Sequence, residues 1–181
     1  GTANKEFGEF DGGAATLAVV GYDFASAMGV REALLAAHYV HQNEHPNNTF
    51  TRQLQNVLSV NLKLAAERWG VRWDVSTATG YLRQSDLWGA MAMPYFNVTE
   101  TLQLVGRYTF VRSDDPNGVQ LATYESRVVA GRGDEYNELY VGANYYVYGH
   151  RLKLQTGLQL ADMNDRAGDG GEYSGASWTT G

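Results

Sequence analysis

Residues 151–161 read Arg-Leu-Lys-Leu-Gln-Thr-Gly-Leu-Gln-Leu-Ala, an almost unbroken alternation of apolar and polar side chains. Successive side chains of an extended strand point to opposite faces, so this period of two predicts a β-strand with one apolar and one polar face. Leu152, Leu154, Leu158 and Leu160 share the apolar face with one threonine, while lysine, glutamine and glycine share the other. The stretch therefore predicts a strand that lies between two different environments.

The same alternation recurs along most of the chain. It is clear at residues 53–66, 71–81, 102–110 and 139–147, and weaker at 14–25, 30–42 and 88–98. Segment 30–42 also fits a helix, and Pro94 makes 88–98 a doubtful strand because proline cannot donate to a ladder. A ninth strand begins at Ser174. The sequence thus predicts an all-β fold with about nine strands.

The connections between the predicted strands alternate in length. They are short at 26–29, 67–70, 99–100 and 149–150, medium at 43–50 and 83–87, and long at 113–133 and 162–173. Tight turns at one end and longer loops at the other, joining antiparallel strands of about ten residues, are typical of outer-membrane barrels. Aromatic residues near the strand ends, such as Trp69, Trp88 and Tyr145, favour the same interpretation. We therefore expect an antiparallel transmembrane β-barrel.

The composition excludes several other classes of protein. Aromatic residues make up 12% of the chain, which is too many for a solvated disordered segment. No apolar run approaches the roughly 20 residues of a membrane-spanning helix. A net charge of −6 argues against a nucleic-acid partner, because neutralising phosphates requires clustered cations. The absence of cysteine removes disulfide frameworks and thiolate metal sites.

Nine strands do not by themselves complete a bacterial barrel. Single-chain outer-membrane barrels close on an even number of strands, and an open edge in lipid leaves unpaired backbone groups. We therefore expect residues 1–181 to be a single C-terminal fragment of an outer-membrane β-barrel that is incomplete at both ends.

Three stretches near the end of the chain carry a resemblance to a known family. They are Tyr136-Asn-Glu-Leu-Tyr-Val-Gly-Ala-Asn-Tyr-Tyr-Val-Tyr-Gly-His-Arg-Leu-Lys-Leu-Gln-Thr-Gly-Leu158, Asp169-Gly-Gly-Glu-Tyr173 and Ser177-Trp-Thr-Thr-Gly181. Together they resemble the C-terminal strands of the phosphate-selective porin O and P family. The resemblance implies a barrel of about 16 strands, a homotrimer in contact with outer-membrane lipid and lipopolysaccharide. It also implies passive diffusion of anions such as phosphate or polyphosphate.

Cations on the polar strand faces are the best candidates for an anion path. Strand parity places five of them there, namely Lys63, Arg72, Arg107, Arg151 and Lys153. In a confined channel they attract anions, and a guanidinium group can bind phosphate oxygens through two hydrogen bonds. The alternative is that they only solvate the wall and pair with acids on neighbouring strands, such as Glu67, Asp74 or Glu138.

Other patterns point away from metal and enzyme chemistry. His38 and His41 are three residues apart, so on a strand they point to opposite faces and cannot chelate one ion. The acidic segment 162–169 lacks the spacing of a calcium-binding loop. The sequence contains no nucleophile, phosphate-loop or dinucleotide motif. It predicts neither catalysis, nor a cofactor, nor a metal site.

Two competing hypotheses remain open beside the channel. A soluble antiparallel β-barrel that binds a small apolar ligand requires the leucine-rich faces to point inward. An outer-membrane barrel with a binding or enzymatic role in its loops requires reactive side chains clustered at the extracellular ends, and the sequence shows no such set of Ser, His and Asp.

Overall fold

The computed structural model describes residues 14–45, 53–121, 129, 131–148 and 151–181. They form one antiparallel sheet in which every strand pairs with its neighbours in sequence, in the order β1 to β9. The strands are β1 (Ala15–Asp23), β2 (Glu32–Gln42), β3 (Leu54–Ala65), β4 (Trp69–Gly80), β5 (Leu87–Asn97), β6 (Leu102–Ser113), β7 (Glu135–Tyr148), β8 (Leu152–Asn164) and β9 (Tyr173–Thr180). A single-turn helix, α1 (Ala25–Met28), lies between the first two strands.

All nine predicted strands are present, including the doubtful ones. Segment 30–42 forms strand β2, so the helical alternative is wrong there. Pro94 lies inside β5, where it pairs with Val71 of β4. The ladder from β5 to β6 is interrupted at this point, between the Ala92–Tyr108 and Tyr95–Val105 pairs, as expected for a residue without an N–H. Proline is therefore tolerated in this strand with a local gap in its pairing.

The connections alternate in length along the chain as predicted, although the first one, expected to be a short turn at 26–29, spans residues 24–31 and contains α1. Residues 24–31, 66–68, 98–101 and 149–151 join strands at one end of the sheet, which we call the short-turn end. Residues 43–53, 81–86, 114–134 and 165–172 join them at the other, which we call the long-loop end. The short-turn end of the sheet therefore has less connecting chain than the long-loop end.

From β2 to β9 the sheet has a mainly apolar and a mainly polar face, and it curves toward the polar one. Strand β1 is apolar on both faces, because Leu17 and Val19 lie exposed on the side toward which the sheet curves. A single cavity is lined by residues as far apart as Glu32 on β2 and Lys153 on β8, which makes the polar face concave. The leucines at 154, 158 and 160 lie on the convex face and are 43–57% exposed. Strands β1 and β9 are the edges and do not pair with each other in the described part of the chain, so the sheet is open.

Among the described residues, a packed apolar cluster lies at the long-loop end of the concave face. Val119, Leu121 and Met163 are buried there and contact partly buried side chains from the sheet. Leu87, Val111 and Tyr136 are among those neighbours. Two of the three core residues lie in the connection between β6 and β7, so this loop folds over the concave face.

Candidate functional site

The concave face encloses a cavity of about 940 Å³ toward the short-turn end. Its walls come from residues of strands β2 and β4 to β8 and from the turns beside them. Because side chains alternate along each strand, the strand residues that line it belong to one face of the sheet. The cavity is therefore formed by several strands and not by one motif.

Three of the predicted cations form a row across the sheet. Lys63 on β3 pairs in register with Arg72 on β4, which pairs with Met93 on β5. The register of the flanking β5–β6 pairs places Arg107 opposite Met93. Lys63, Arg72 and Arg107 therefore lie on the concave face, which is the polar face that parity predicts for them. We call these three residues the basic row.

Two members of the basic row are paired with acids. Arg107 Nη2 lies 2.6 Å from Glu138 Oε1, a pairing that was the alternative interpretation of this cation, and Arg72 Nη2 lies 3.3 Å from Glu32 Oε2. Asp74, another of the expected partners, accepts hydrogen bonds from two serine hydroxyls instead. These side chains keep donors available to an anion, but their charge is partly balanced within the wall.

The two remaining predicted cations occupy different places. Lys153 on β8 is exposed, lines the cavity and pairs in register with Tyr146. Arg151 lies in the turn before β8, where its N–H donates to the Tyr148 carbonyl at 3.2 Å. The prediction that Arg151 belongs to the strand is wrong, because the strand starts one residue later. Among the described residues, Lys63 and Lys153 have no acidic partner within 4.0 Å.

Parity could not find two further cations, because they lie in turns. Arg31 precedes β2 and donates from Nη2 to the Tyr95 hydroxyl at 3.4 Å. Arg68 precedes β4 and donates from Nη2 to the carbonyl of Val98 at 2.7 Å. Both line the cavity at its short-turn rim. Arginine immediately beside a tight turn is the sequence signal that would have suggested them.

Side-chain amides on four adjacent strands form a chain of hydrogen bonds between the basic row and the short-turn end. Gln155 Nε2 donates to Asn144 Oδ1 at 2.8 Å, and Asn144 Nδ2 donates to Gln103 Oε1 at 2.9 Å. Gln103 Nε2 in turn donates to Asn97 Oδ1 at 2.9 Å. We call these four residues the amide ladder. Each amide uses only part of its capacity here, so N–H groups and lone pairs face the cavity.

At the long-loop end, three loops join into one unit that we call the loop assembly, residues 81–86, 114–121, 131–134 and 165–172. Asp134 is at its centre and is 3% exposed. Its carboxylate accepts backbone N–H bonds from Asn117 at 2.7 Å, Arg166 at 2.9 Å and Ala167 at 3.1 Å. Asp134 therefore holds two separate loops against the start of β7.

Burial and hydrogen bonding act in opposite directions on Asp134. Burial of the carboxylate raises its pKa, whereas the N–H donors of Asn117, Ala167 and Arg166 and the positive charge of Arg166 lower it. The net result is a pKa below the ordinary value for aspartate. The group is thus an anion at neutral pH, and its charge is satisfied by the backbone.

The histidines and the acidic loop show no metal chemistry in the part of the chain that the structure covers. His38 and His41 lie on opposite faces of β2, as predicted, and His41 Nδ1 lies 2.9 Å from Asn56 Oδ1. Asp165 accepts backbone N–H bonds from Gly168 and Gly170, which makes it a turn-forming residue. No group of three or more His, Cys, Asp or Glu in these residues could hold an ion.

Comparisons with known proteins identify no family for this chain. No protein-family model matches it, and searches of curated proteins and of solved structures gave no match. In the described residues, the structure contains no helix of the length and apolarity needed to cross a membrane.

Proposed function

We propose that this sheet is part of the wall of an outer-membrane β-barrel through which small anions diffuse passively. The observation that carries the proposal is the contrast between its two faces, an exposed apolar convex face and a polar concave face that lines a cavity. The proposed channel uses no cofactor and forms no covalent intermediate. Phosphate as the transported anion and a homotrimer in lipopolysaccharide-containing membrane are expectations from the family resemblance.

The convex face has the composition required for contact with hydrocarbon. On the described strands its charged side chains are Arg112, Glu135 and Asp162, all within the last or first three residues of a strand at the long-loop end. Between the two ends the face carries aliphatic and aromatic groups, and Leu104, for example, is 49% exposed. Such a face is unusual in water, where contiguous apolar patches rarely exceed a few hundred Å².

The concave face has the composition required for contact with water. Arg72, Arg107, Asn144 and Gln155 lie inside their strands, where a dry interior would demand that every donor be satisfied. Arg107 Nε is buried and has no partner among the described residues. The side chains of Arg72 and Arg107 are nevertheless 37% and 39% exposed, so water in the cavity reaches their guanidinium groups, and an aqueous lumen explains this arrangement better than a filled interior does.

The open edges of the sheet require further strands in this proposal. Unpaired N–H and C=O groups along β1 and β9 cost several kcal/mol each in lipid, so the barrel must be completed by additional strands. The soluble barrel that binds an apolar ligand is disfavoured, because it needs the leucines of 152–160 inside. They lie instead on the convex face, with Leu154 57% exposed.

Reconstitution of the complete protein in a planar lipid bilayer tests the proposal. We expect stepwise increases in current and, under a salt gradient, a reversal potential that shows a preference for anions. Protein that stays monomeric and soluble without detergent and inserts no conductance would overturn it.

Two neighbouring residues of β8 provide a matched pair of variants for the same experiment. Leu158→Arg puts a charge on the proposed lipid face, which costs about 2–4 kcal/mol near the bilayer midplane, so we expect folding into lipid vesicles to fall sharply. Gln159→Arg puts the same group on the concave face and should fold like the unaltered protein. Equal folding of the two variants contradicts the assignment of the faces.

A further inference from the structure

Tyrosine rings fill a row of small residues on the concave face. In register across the strands, this row contains Ala65, Gly70, Tyr95, Val105, Gly142 and Gly157. A Cβ atom on Gly70 would overlap the Tyr95 ring, and a Cβ on Gly142 or Gly157 would overlap the ring of Tyr140. Both rings therefore lie against the sheet, in the space that a side chain at each of these glycines would otherwise occupy. We call Tyr95 and Tyr140 the tyrosine shelf.

Each ring of the tyrosine shelf has a guanidinium group beside it. The Arg107 guanidinium carbon lies 5.5 Å from the centroid of the Tyr140 ring, and Arg31 Nη2 lies 3.4 Å from the Tyr95 hydroxyl. Glu138 occupies Nη2 of Arg107, but the Arg107 side chain is 39% exposed and lines the cavity, so part of its guanidinium group remains accessible. A carboxylate that approaches the ring of Tyr140 thus meets an exposed guanidinium group.

The amide ladder forms the other border of the shelf. Asn144 follows Gly142 by two residues on β7, and Gln155 precedes Gly157 by two residues on β8, so both amides lie on the same face one step toward the short-turn end. The ladder can donate to and accept from hydroxyl groups with its unused N–H groups and lone pairs. Shelf, cations and amides all line the same cavity.

We propose that this surface binds a hydroxylated ring that carries a carboxylate, which is the chemistry of a sugar acid such as a uronate. The inference rests on the proposed channel and names the class of anion that binds inside it. Inorganic phosphate would bind the guanidinium groups but would not contact the tyrosine rings. A neutral sugar would not use the positive charge of Arg107, and an apolar ring acid would leave the amide ladder unused.

The test is a titration of the current through the complete protein in a planar bilayer. Glucuronate, benzoate, glucose and inorganic phosphate are added separately to a chloride solution, and the concentration that halves the chloride current is measured for each. We expect the half-blocking concentration of glucuronate to be at least about fivefold below those of the other three, since one aromatic stacking contact contributes on the order of that factor.

Three variants separate recognition by the shelf from a general effect on the pore. Tyr140→Leu should raise the half-blocking concentration of glucuronate about fivefold and leave that of phosphate unchanged. Tyr140→Phe keeps the ring and should stay within about twofold of the unaltered protein. Tyr145→Leu is the matched control, because this tyrosine lies on the convex face of the same strand.

The outcomes distinguish this inference from the proposed function. If phosphate or benzoate blocks as well as glucuronate, or if Tyr140→Leu leaves the block by glucuronate unaltered, the sugar-acid site is wrong while the channel stands. If the complete protein conducts no current, the channel and the site fall together.

Discussion

The two ends of the concave face place their charged groups in opposite surroundings. At the long-loop end, the Asp134 carboxylate receives three backbone N–H bonds, and Met163 packs under the loops with 1% exposure. At the short-turn end, cations, amides and tyrosines line an open cavity, and the Arg107 side chain is 39% exposed. One end encloses its charged group in protein, whereas the other exposes its cations to the cavity.

This difference separates residues that stabilise the structure from residues available to a ligand. Complete satisfaction of Asp134 leaves nothing for a solute to bind, so its substitution should affect stability and loop order. Partial satisfaction at the cavity leaves donors whose partner is water or an anion, so substitutions there should affect selectivity and leave stability nearly unchanged. The contrast can therefore be tested by measuring both properties for variants at each end.

The largest expected effect comes from Asp134→Ala. The change leaves the N–H groups of Asn117, Arg166 and Ala167 without their acceptor, and each buried unsatisfied donor costs about 1–3 kcal/mol. We expect the loop assembly to open and amide hydrogen exchange of Val119, whose N–H now donates to the Gly133 carbonyl, to accelerate by at least about a hundredfold. Exchange in mid-strand β3 serves as the internal control. Unchanged exchange at Val119 would show that other contacts hold the assembly.

The sequence predicted the sheet well because strands have a period that can be read. Parity placed Leu158 and Gln159 on opposite faces, and the structure confirms it. The loop assembly has no such period. Nothing in the sequence around Asp134 shows that its carboxylate turns inward to bind Arg166, which follows 32 residues later. The long loops were therefore expected only as connections, although one of them contributes most of the apolar core.

An intermediate effect is expected from acid. Because the pKa of Asp134 is lowered in the folded state, the unfolded chain binds its proton first as the pH falls, and the stabilisation by the carboxylate decreases below about pH 4. It is fully present at neutral pH. We expect the ratio of Val119 exchange to that of a mid-strand amide to rise between about pH 4 and the lower folded-state pKa.

Asp134→Asn is the control for this acid effect. The amide does not titrate, so the variant should be less stable at neutral pH but should lose the acid-dependent step in the exchange ratio. A step of the same size in both proteins would assign the effect to another carboxylate.

The candidate site was only partly predictable, because parity fixes a face but not a register. Lys63, Arg72 and Arg107 were placed on one face, yet their alignment in a row depends on pairings across three ladders. Gln103 and Asn144 are 41 residues apart, and the long connection between β6 and β7 hides their alignment in the sequence. The tyrosine shelf depends in the same way on glycines of adjacent strands. Cross-strand chemistry therefore had to come from the structure.

The smallest expected effect is at the open end, with Lys153→Glu. This side chain is exposed, lines the cavity and has no acidic partner in the described part of the chain, so reversing its charge breaks no internal contact. We expect the ratio of anion to cation permeability of the complete protein, measured from the reversal potential under a salt gradient, to fall about twofold. Lys153→Gln should give about half of the shift in reversal potential, because it removes one charge and not two. Val119 exchange should be unaltered in both, since the loop assembly lies at the other end of the sheet. If Lys153→Glu left the permeability ratio unchanged but accelerated Val119 exchange, the contrast between the two ends would be wrong.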